Sequence, residues 1–214
     1  MIAALPRFYP ILDTGAAAHA GLDLARSAEA LLDAGVRILQ LRHKEHFDRK
    51  MFEATRGVAA ACRKAGALFV INDRADMAVL LDAAALHIGQ DDLPAPESRA
   101  LIGTDRVLGL STHNEAQLLT SNDQPVDYIA LGPLFETGSK RNPDAVVGVE
   151  ELARLRSWTA RPVVAIGGIN RENCGLVLQA GADSVAVIGD LFPPGGTLKN
   201  LRERAEEWMR LTNE

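Results

Sequence analysis

The sequence has little cysteine and no excess of positive charge. Its two cysteines, Cys62 and Cys174, have neither metal-site spacing nor a CxxC pairing, so we expect small buried residues rather than a disulfide. The formal net charge is −5, which argues against nucleic acid as a partner. Any site for an anion must therefore be built locally, from a few clustered cations.

The sequence also lacks long apolar runs. None reaches the length of a membrane-spanning helix, and residues 1–6 lack the basic segment and apolar core of a signal peptide. We therefore expect a cytoplasmic protein that does not bind membranes. Its 214 residues are 47% apolar and 24% charged, which suits one globular domain spanning residues 1–214.

Short apolar runs alternate with longer amphipathic stretches throughout the chain. The apolar runs lack polar alternation, which is typical of parallel strands covered by helices. Glycines at 35, 66 and 181 follow predicted helices, and Asp48 offers an N-cap. We predict strands at Phe8–Leu12, Ile38–Arg42, Leu68–Asn72, Ala85–Ile88, Val107–Ser111, Tyr128–Leu131, Val163–Ile166 and Ser184–Ile188, and helices at Leu22–Asp33, Asp48–Ala65, Ala75–Leu81, Pro96–Ile102, Asn114–Ser121, Val149–Trp158, Arg171–Gln179 and Leu198–Leu211.

Eight strand–helix units predict an α/β fold, a single (β/α)8 barrel of the TIM type. An open, doubly wound sheet is the alternative. Active sites of such barrels lie at the C-terminal ends of the strands. The polar residues that follow each predicted strand are therefore the candidate site residues.

The second predicted strand ends in Gln40-Leu41-Arg42-His43-Lys44. Residues 40, 42 and 44 share one face of an extended chain, so an amide, a guanidinium and an ammonium group point the same way. This arrangement would bind a di- or triphosphate. A solvated basic loop is equally compatible with the spacing.

Carboxylates follow the third and fourth predicted strands. Asp73 comes after Asn72, while Asp91 and Asp92 follow Gln90. Carboxylates at two adjacent strand ends can hold one hard cation between them, with phosphate oxygens completing the shell. Taken singly, Asp73 and Asp92 are each better explained as caps of the next helix, but their position next to the basic residues favours a metal site.

Four later loops add further candidates. His113 follows the fifth strand, where it could carry protons or serve as a hydrogen-bonded structural residue. The segment 132–140 contains two hydroxyls and a lysine, and it could close over a substrate. The loops after strands seven and eight contain Gly168 and Gly189, and such loops commonly bind phosphate through backbone N–H groups.

Together these motifs resemble the thiamine phosphate synthase family over nearly the whole chain. They are Gln-x-Arg-x-Lys at 40–44, Asn-Asp at 72–73, His-Ile-Gly-Gln-Asp-Asp at 87–92, Gly-Pro-Leu-Phe-x-Thr-x-Ser-Lys at 132–140 and Ala-Ile-Gly-Gly-Ile at 165–169. The resemblance implies a magnesium-dependent transferase. It would release pyrophosphate from hydroxymethylpyrimidine diphosphate, and the ring nitrogen of a thiazole phosphate would capture the resulting pyrimidine-methyl cation.

The resemblance also implies residue roles. Asp73 and Asp92 would hold Mg²⁺; Asp91 competes on chemistry alone, but Asp92 matches the family position. Catalytic roles would fall to Arg42, Lys44, Ser111 and Lys140; the pyrimidine diphosphate would be bound by Gln40, Leu41, Arg42, His43, Lys44, Asn72, Ser111 and Lys140, and the thiazole phosphate by Thr137, Gly138, Ser139, Gly168, Ile188 and Gly189. Two positions depart from the family: Ser139 replaces a usual threonine, and Gly189 replaces a common serine, which removes a side-chain donor.

Two other functions stay open on the sequence alone. A related thiazole tautomerase would use the same barrel with His113 as its acid–base residue. It would need neither the basic cluster of Arg42 and Lys44 nor the carboxylate pair of Asp73 and Asp92. A non-catalytic barrel that binds phosphorylated ligands is the second alternative. The partners expected are small-molecule substrates, and the oligomeric state is left open, a homo-oligomer included.

Overall fold

Eight parallel strands close into a barrel in the computed structural model, which describes residues 5–138, 144–192 and 195–212. Each strand pairs with the next along the chain, and the last pairs with the first. This closure confirms the predicted TIM-type fold and excludes the open sheet. The strands are β1 Phe8–Asp13, β2 Ile38–Arg42, β3 Leu68–Asn72, β4 Ala85–Ile88, β5 Val107–Thr112, β6 Tyr128–Leu131, β7 Val163–Ile166 and β8 Ser184–Val187.

Helices follow the strands and cover the outside of the barrel. All eight predicted helices are present, with ends shifted by up to three residues. The structure adds two short elements that were not predicted, one after β1 and one after β8. Within the described residues the helices are α1 Thr14–His19, α2 Leu24–Asp33, α3 Arg49–Ala65, α4 Ala75–Leu80, α5 Ala95–Ile102, α6 Glu115–Ser121, α7 Val149–Arg156, α8 Cys174–Gln179 and α9 Leu198–Leu211, with a 3₁₀ turn at Gly189–Leu191.

Local side-chain chemistry sets several helix ends. Asp48 accepts a hydrogen bond from the Met51 N–H at 2.7 Å and caps α3, as predicted, and Gly66 ends that helix at φ 66°. The unpredicted helix α1 is capped by Asp13, whose carboxylate accepts from the Ala16 N–H at 2.8 Å. Six residues are too few to show a helical period, so the sequence pattern gave no signal for α1.

Alternation along each strand divides the core into two layers. In β2, Ile38 faces the barrel interior, whereas Leu39 and Leu41 pack in the layer between barrel and helices. The outer layer also contains a stacked pair, Phe8 and Trp208, with ring centroids 5.3 Å apart. Toward their C-terminal ends, β2 to β5 direct polar side chains into the interior, and these place the site: Gln40, Asn72, His87 and Ser111.

Both cysteines are buried and free of disulfide bonds, as predicted. Burial raises the pKa of the Cys62 thiol to about 12, so it remains protonated and inert. In the part of the chain that the structure describes, no helix is both long and apolar enough to span a bilayer.

Candidate active site at the barrel mouth

A cavity of about 1080 Å³ opens at the C-terminal ends of the strands. It brings together most of the residues that the sequence pointed to, from segments scattered over the chain. Ser139 and Lys140 lie outside the described residues. The predicted residues that line the cavity are Gln40, Arg42, Lys44, Asn72, Asp73, Asp92, Ser111, His113, Thr137, Gly138, Gly168, Ile188 and Gly189.

Two predicted residues do not belong to the cavity wall. Leu41 is 2% exposed and packs in the outer core layer, because its side chain points to the opposite face of β2 from Gln40 and Arg42. His43 turns toward α1, where its Nδ1 lies 2.8 Å from the Thr14 hydroxyl. We therefore exclude both side chains from the candidate site.

The two cations of the basic cluster are each held by a carboxylate. Arg42 forms an ion pair with Asp13, and Lys44 forms one with Asp73. Since Asp13 also caps α1 through Ala16, the Arg42 guanidinium is tied to a helix start and has a fixed direction. Asp13 was not among the predicted site residues, although it directly follows the first predicted strand and its position there was the available signal.

Asp73 and Asp92 lie side by side at the ends of β3 and β4. Burial raises the pKa of Asp73, and the neighbouring Asp92 carboxylate raises it further, while Lys44 lowers it. Asp92 is oriented by the Gly89 N–H, which donates to its Oδ2 at 2.7 Å. Two adjacent carboxylates repel each other, and a cation between them relieves that repulsion.

Neither carboxylate caps the helix that follows it. Helix α4 has Arg74 at its N-cap and helix α5 has Pro94, and neither residue forms a side-chain capping bond. The capping alternative is therefore wrong for Asp73 and Asp92. Among the described residues, no group of three or more His, Cys, Asp or Glu side chains is arranged so that it could hold a metal ion. A pair of carboxylates nonetheless suits Mg²⁺, which commonly binds to one or two carboxylates and to substrate phosphates.

Asn72 presents an unused donor to the same part of the cavity. Its side chain is 8% exposed, and its Nδ2 has no hydrogen-bond partner among the described residues. A buried N–H without a partner costs about 1–3 kcal/mol. A ligand acceptor at this position would remove that penalty.

A buried chain of hydrogen bonds runs along the cavity wall. Gln40 Nε2 donates to the Tyr9 hydroxyl, which contacts the Tyr128 hydroxyl, each at 2.9 Å. His87 joins Tyr128 through Nδ1 and Ser111 through Nε2, again at 2.9 Å each. Sequence reasoning missed Tyr9 and Tyr128 and gave His87 no role. The available signal was that the chain has only two tyrosines, both inside predicted strands.

The glycines after β7 let two loops approach closely. A Cβ on Gly168 would lie 2.5 Å from the Glu136 carbonyl oxygen, and the backbone there has φ +65°. The Leu134 N–H donates to the Ile166 carbonyl at 2.9 Å, and the Phe135 N–H donates to the Gly167 carbonyl at 3.0 Å. The start of the segment 132–140 is thus fixed to the loop after β7.

The loop after β8 is held by side-chain hydrogen bonds to its residue Asp190. Gly189 begins the 3₁₀ turn, and the first N–H groups of such a turn have no partner within it. The next residue, Asp190, accepts from Trp208 Nε1 and from Arg171 Nε, each at 2.9 Å. These bonds hold the turn in place beside the cavity that Ile188 and Gly189 line.

His113 lines the cavity but is held by the backbone. Its Nδ1 donates to the Gly132 carbonyl oxygen at 2.6 Å, and an Asp144 carboxylate oxygen lies 3.5 Å from the same nitrogen. The His113 backbone N–H donates to Gln117 Oε1 at 2.8 Å. These contacts agree with the structural alternative and leave the ring within reach of a ligand.

The chain is similar to known proteins over most of its length. A family model described as thiamine monophosphate synthase matches residues 8–191. A thiamine-phosphate synthase of Koribacter versatilis is 42% identical over 209 residues, covering 97% of this chain and 96% of the relative. One from Syntrophomonas wolfei is 36% identical, covering 89% and 91%. The solved thiamine phosphate pyrophosphorylase of Pyrococcus furiosus has a TM-score of 0.83 and 28% identity, covering 97% and 95%.

Proposed function

The chain belongs to the thiamine monophosphate synthase family, and from this premise we propose how its cavity performs the reaction. The enzyme is a transferase that joins hydroxymethylpyrimidine diphosphate to a thiazole phosphate, giving thiamine phosphate and pyrophosphate. One observation carries the assignment of residues: cations and carboxylates at the ends of β2–β4 line the same cavity as the glycine-containing loops after β7 and β8.

The diphosphate is proposed to bind at the ends of β2 to β4. Arg42, Lys44 and the unpaired Asn72 amide supply donors there, and Lys140 would add a cation from the segment outside the described residues. Asp73 and Asp92 would hold Mg²⁺, which when bound neutralises negative charge on the departing pyrophosphate. Arg42 is kept in position by its ion pair with Asp13.

The thiazole phosphate is proposed to bind on the opposite side. Backbone N–H groups at Gly168, Ile188 and Gly189 would contact its phosphate, with Thr137 and Gly138 beside them and Ser139 following. At Gly168 and Gly189 the absence of a Cβ lets the phosphate approach the backbone. The site lacks the side-chain hydroxyl that the family commonly has at position 189.

The chemistry then needs no nucleophilic side chain. The pyrimidine-methyl C–O bond breaks with both electrons leaving on pyrophosphate, and the thiazole nitrogen lone pair forms the new C–N bond. The cations and the Asn72 amide at β2–β4 stabilise charge as it develops on the leaving group. Gln40 and Ser111 bind the pyrimidine end of the diphosphate substrate and hold the pyrimidine-methyl cation so that it faces the thiazole nitrogen.

One turnover assay tests this function. The purified protein is given both substrates and Mg²⁺, and thiamine phosphate and pyrophosphate are measured together. We expect the two products in equal amounts, and neither when one substrate or the metal is left out. A tautomerase would change the thiazole phosphate without the pyrimidine, and a simple binder would retain both ligands unchanged; either result would reject the proposal.

A further inference from the structure

Two residues assigned to the pyrimidine end of the ligand are joined through the protein. Tyr9, Tyr128 and His87, here named the tyrosine–histidine chain, connect Gln40 on β2 to Ser111 on β5 by consecutive hydrogen bonds of 2.9 Å. Both tyrosines are 1% exposed and His87 is 7% exposed. Buried polar groups of this kind are satisfied by one another and not by water.

The direction of every hydrogen bond between Gln40 and Ser111 follows from the bond that Gln40 donates to Tyr9. The Gln40 amide nitrogen only donates, so the Tyr9 oxygen accepts there and its single hydrogen is passed to Tyr128. Burial raises the pKa of Tyr9 to about 12 and that of Tyr128 well above 10, so both hydroxyls keep their hydrogens at working pH.

The histidine continues the same direction. Tyr128 has accepted from Tyr9, so its own hydrogen goes to Nδ1 of His87. A neutral imidazole that accepts at Nδ1 carries its hydrogen on Nε2, and that hydrogen is donated to Ser111 Oγ. The chain therefore fixes one tautomer of His87.

Gln40 and Ser111, which the tyrosine–histidine chain connects, then present opposite hydrogen-bonding groups to the cavity. The hydrogen bond to Tyr9 turns the amide nitrogen of Gln40 toward Tyr9, and the carbonyl oxygen on the other branch of the amide is the acceptor offered to the ligand. Ser111 has accepted from His87 and keeps its own hydrogen for the ligand, which makes it a donor. A ring that fits this pattern supplies an N–H to Gln40 and an unprotonated ring nitrogen to Ser111.

We propose that Tyr9, Tyr128 and His87 are positioning residues that determine specificity, because they fix Gln40 as an acceptor and Ser111 as a donor. An aminopyrimidine matches that pattern with its exocyclic amino group and its ring nitrogen. An oxo-pyrimidine has a carbonyl and a ring N–H, which is the reverse pattern. Its carbonyl would face the carbonyl oxygen of Gln40, and its ring N–H would face the hydroxyl hydrogen of Ser111. The inference rests on the proposed function, since it takes the pyrimidine diphosphate as the ligand.

Selectivity between two analogues tests the proposal. We compare kcat/KM for the 4-amino and 4-oxo pyrimidine diphosphates in the wild type, in Tyr9→Phe and in Tyr128→Phe. Each variant breaks the chain, so we expect the amino-to-oxo ratio to fall at least about tenfold relative to wild type. Differences in intrinsic reactivity between the analogues cancel in that comparison.

Ser184→Ala is the matched control. Ser184 is fully buried on β8, and its hydroxyl has no partner among the described residues. The variant also removes one buried hydroxyl but leaves the chain intact, so its ratio should equal that of the wild type. An unchanged ratio in both tyrosine variants, or an equal fall in Ser184→Ala, would overturn the proposal.

The His87 tautomer gives a second test that needs no activity. The ¹⁵N shifts of the wild-type imidazoles, with His87 assigned by its loss in His87→Gln, should show Nδ1 unprotonated and Nε2 protonated. A proton on Nδ1 would reverse the chain and refute the inference, even where a tyrosine variant fails to fold. Failure of the wild type to form thiamine phosphate would instead refute the proposed function and leave the tautomer result standing.

Discussion

Replacing Asp73 by asparagine separates metal binding from folding at this site. The change keeps the size of the side chain but removes one of two adjacent carboxylates. Asp73 has a left-handed backbone at φ 65°, and asparagine tolerates that conformation at least as well as aspartate. The backbone therefore gives no reason for Asp73→Asn to unfold the protein.

The electrostatics of the pair predict the sign of the stability change. The pKa of Asp73 is raised in the folded state, by burial first and by Asp92 in addition. A raised carboxylate pKa means that the ionised form opposes folding, and this destabilisation is present above the folded pKa and lost as pH falls. In the absence of Mg²⁺ at neutral pH, the melting temperature of Asp73→Asn should therefore equal or exceed that of the wild type.

Activity should change in the opposite direction. Asp73→Asn removes one of the two carboxylates proposed to hold Mg²⁺, and with it one charge at the proposed diphosphate site. We therefore expect kcat/KM to fall about 10²–10³-fold. The Mg²⁺ concentration for half-maximal activity should rise at least about tenfold. Both are measured by pyrophosphate release in a magnesium titration.

Asp91→Asn is the matched control for this variant. Asp91 is exposed, lines the same cavity and precedes Asp92 in the chain. Its replacement removes the same charge near the diphosphate but leaves the proposed ligand pair intact. Similar magnesium dependence in the two variants, or an unaltered magnesium requirement in Asp73→Asn, would refute the assignment of Asp73 and Asp92.

Three further predictions concern the other side of the cavity. Gly168→Ala places a Cβ 2.5 Å from the Glu136 carbonyl oxygen at a left-handed backbone position. The free energy of unfolding in urea should therefore fall by about 1–3 kcal/mol, and KM for the thiazole phosphate should rise. The control Gly175→Ala in α8, where an added Cβ would meet nothing within 4 Å, should change neither quantity. Gly189→Ser restores a hydroxyl, and KM for the thiazole phosphate should fall several-fold, roughly as one hydrogen bond allows; an unchanged KM would contradict the phosphate assignment. His113→Ala should lower kcat less than about tenfold, since its Nδ1 serves the Gly132 carbonyl; a larger loss would indicate an acid–base role.

Much of the fold could be read directly from local patterns. Five of the eight strands have the predicted bounds, and the others differ by one residue at the C-terminal end. The apolar runs are short and continuous because both faces of each strand are buried. Asp48 and Gly66 are recognisable as helix ends because capping depends on neighbours in the chain.

Parts of the site could be placed from the sequence because a barrel brings all strand ends to one mouth. Asn72 and Asp73 needed only the end of β3 to be known. Leu41 was assigned with its neighbours on the strength of a motif, although alternation in β2 turns it to the helix layer. A motif names a segment, whereas the pleat of the strand decides which of its side chains face the ligand.

The sequence by itself determined the number and order of the strands, the eight longer helices between and after them, and which loops would meet at the mouth. These depend on periodicity and capping, which are properties of near neighbours. Only the tertiary structure decided the partners: Asp13 with Arg42, Lys44 with Asp73, and Tyr9 with Tyr128 across 119 positions of the chain. Those contacts depend on the register and closure of the barrel, because they join residues that lie far apart in the chain, and no local pattern encodes a distance between them.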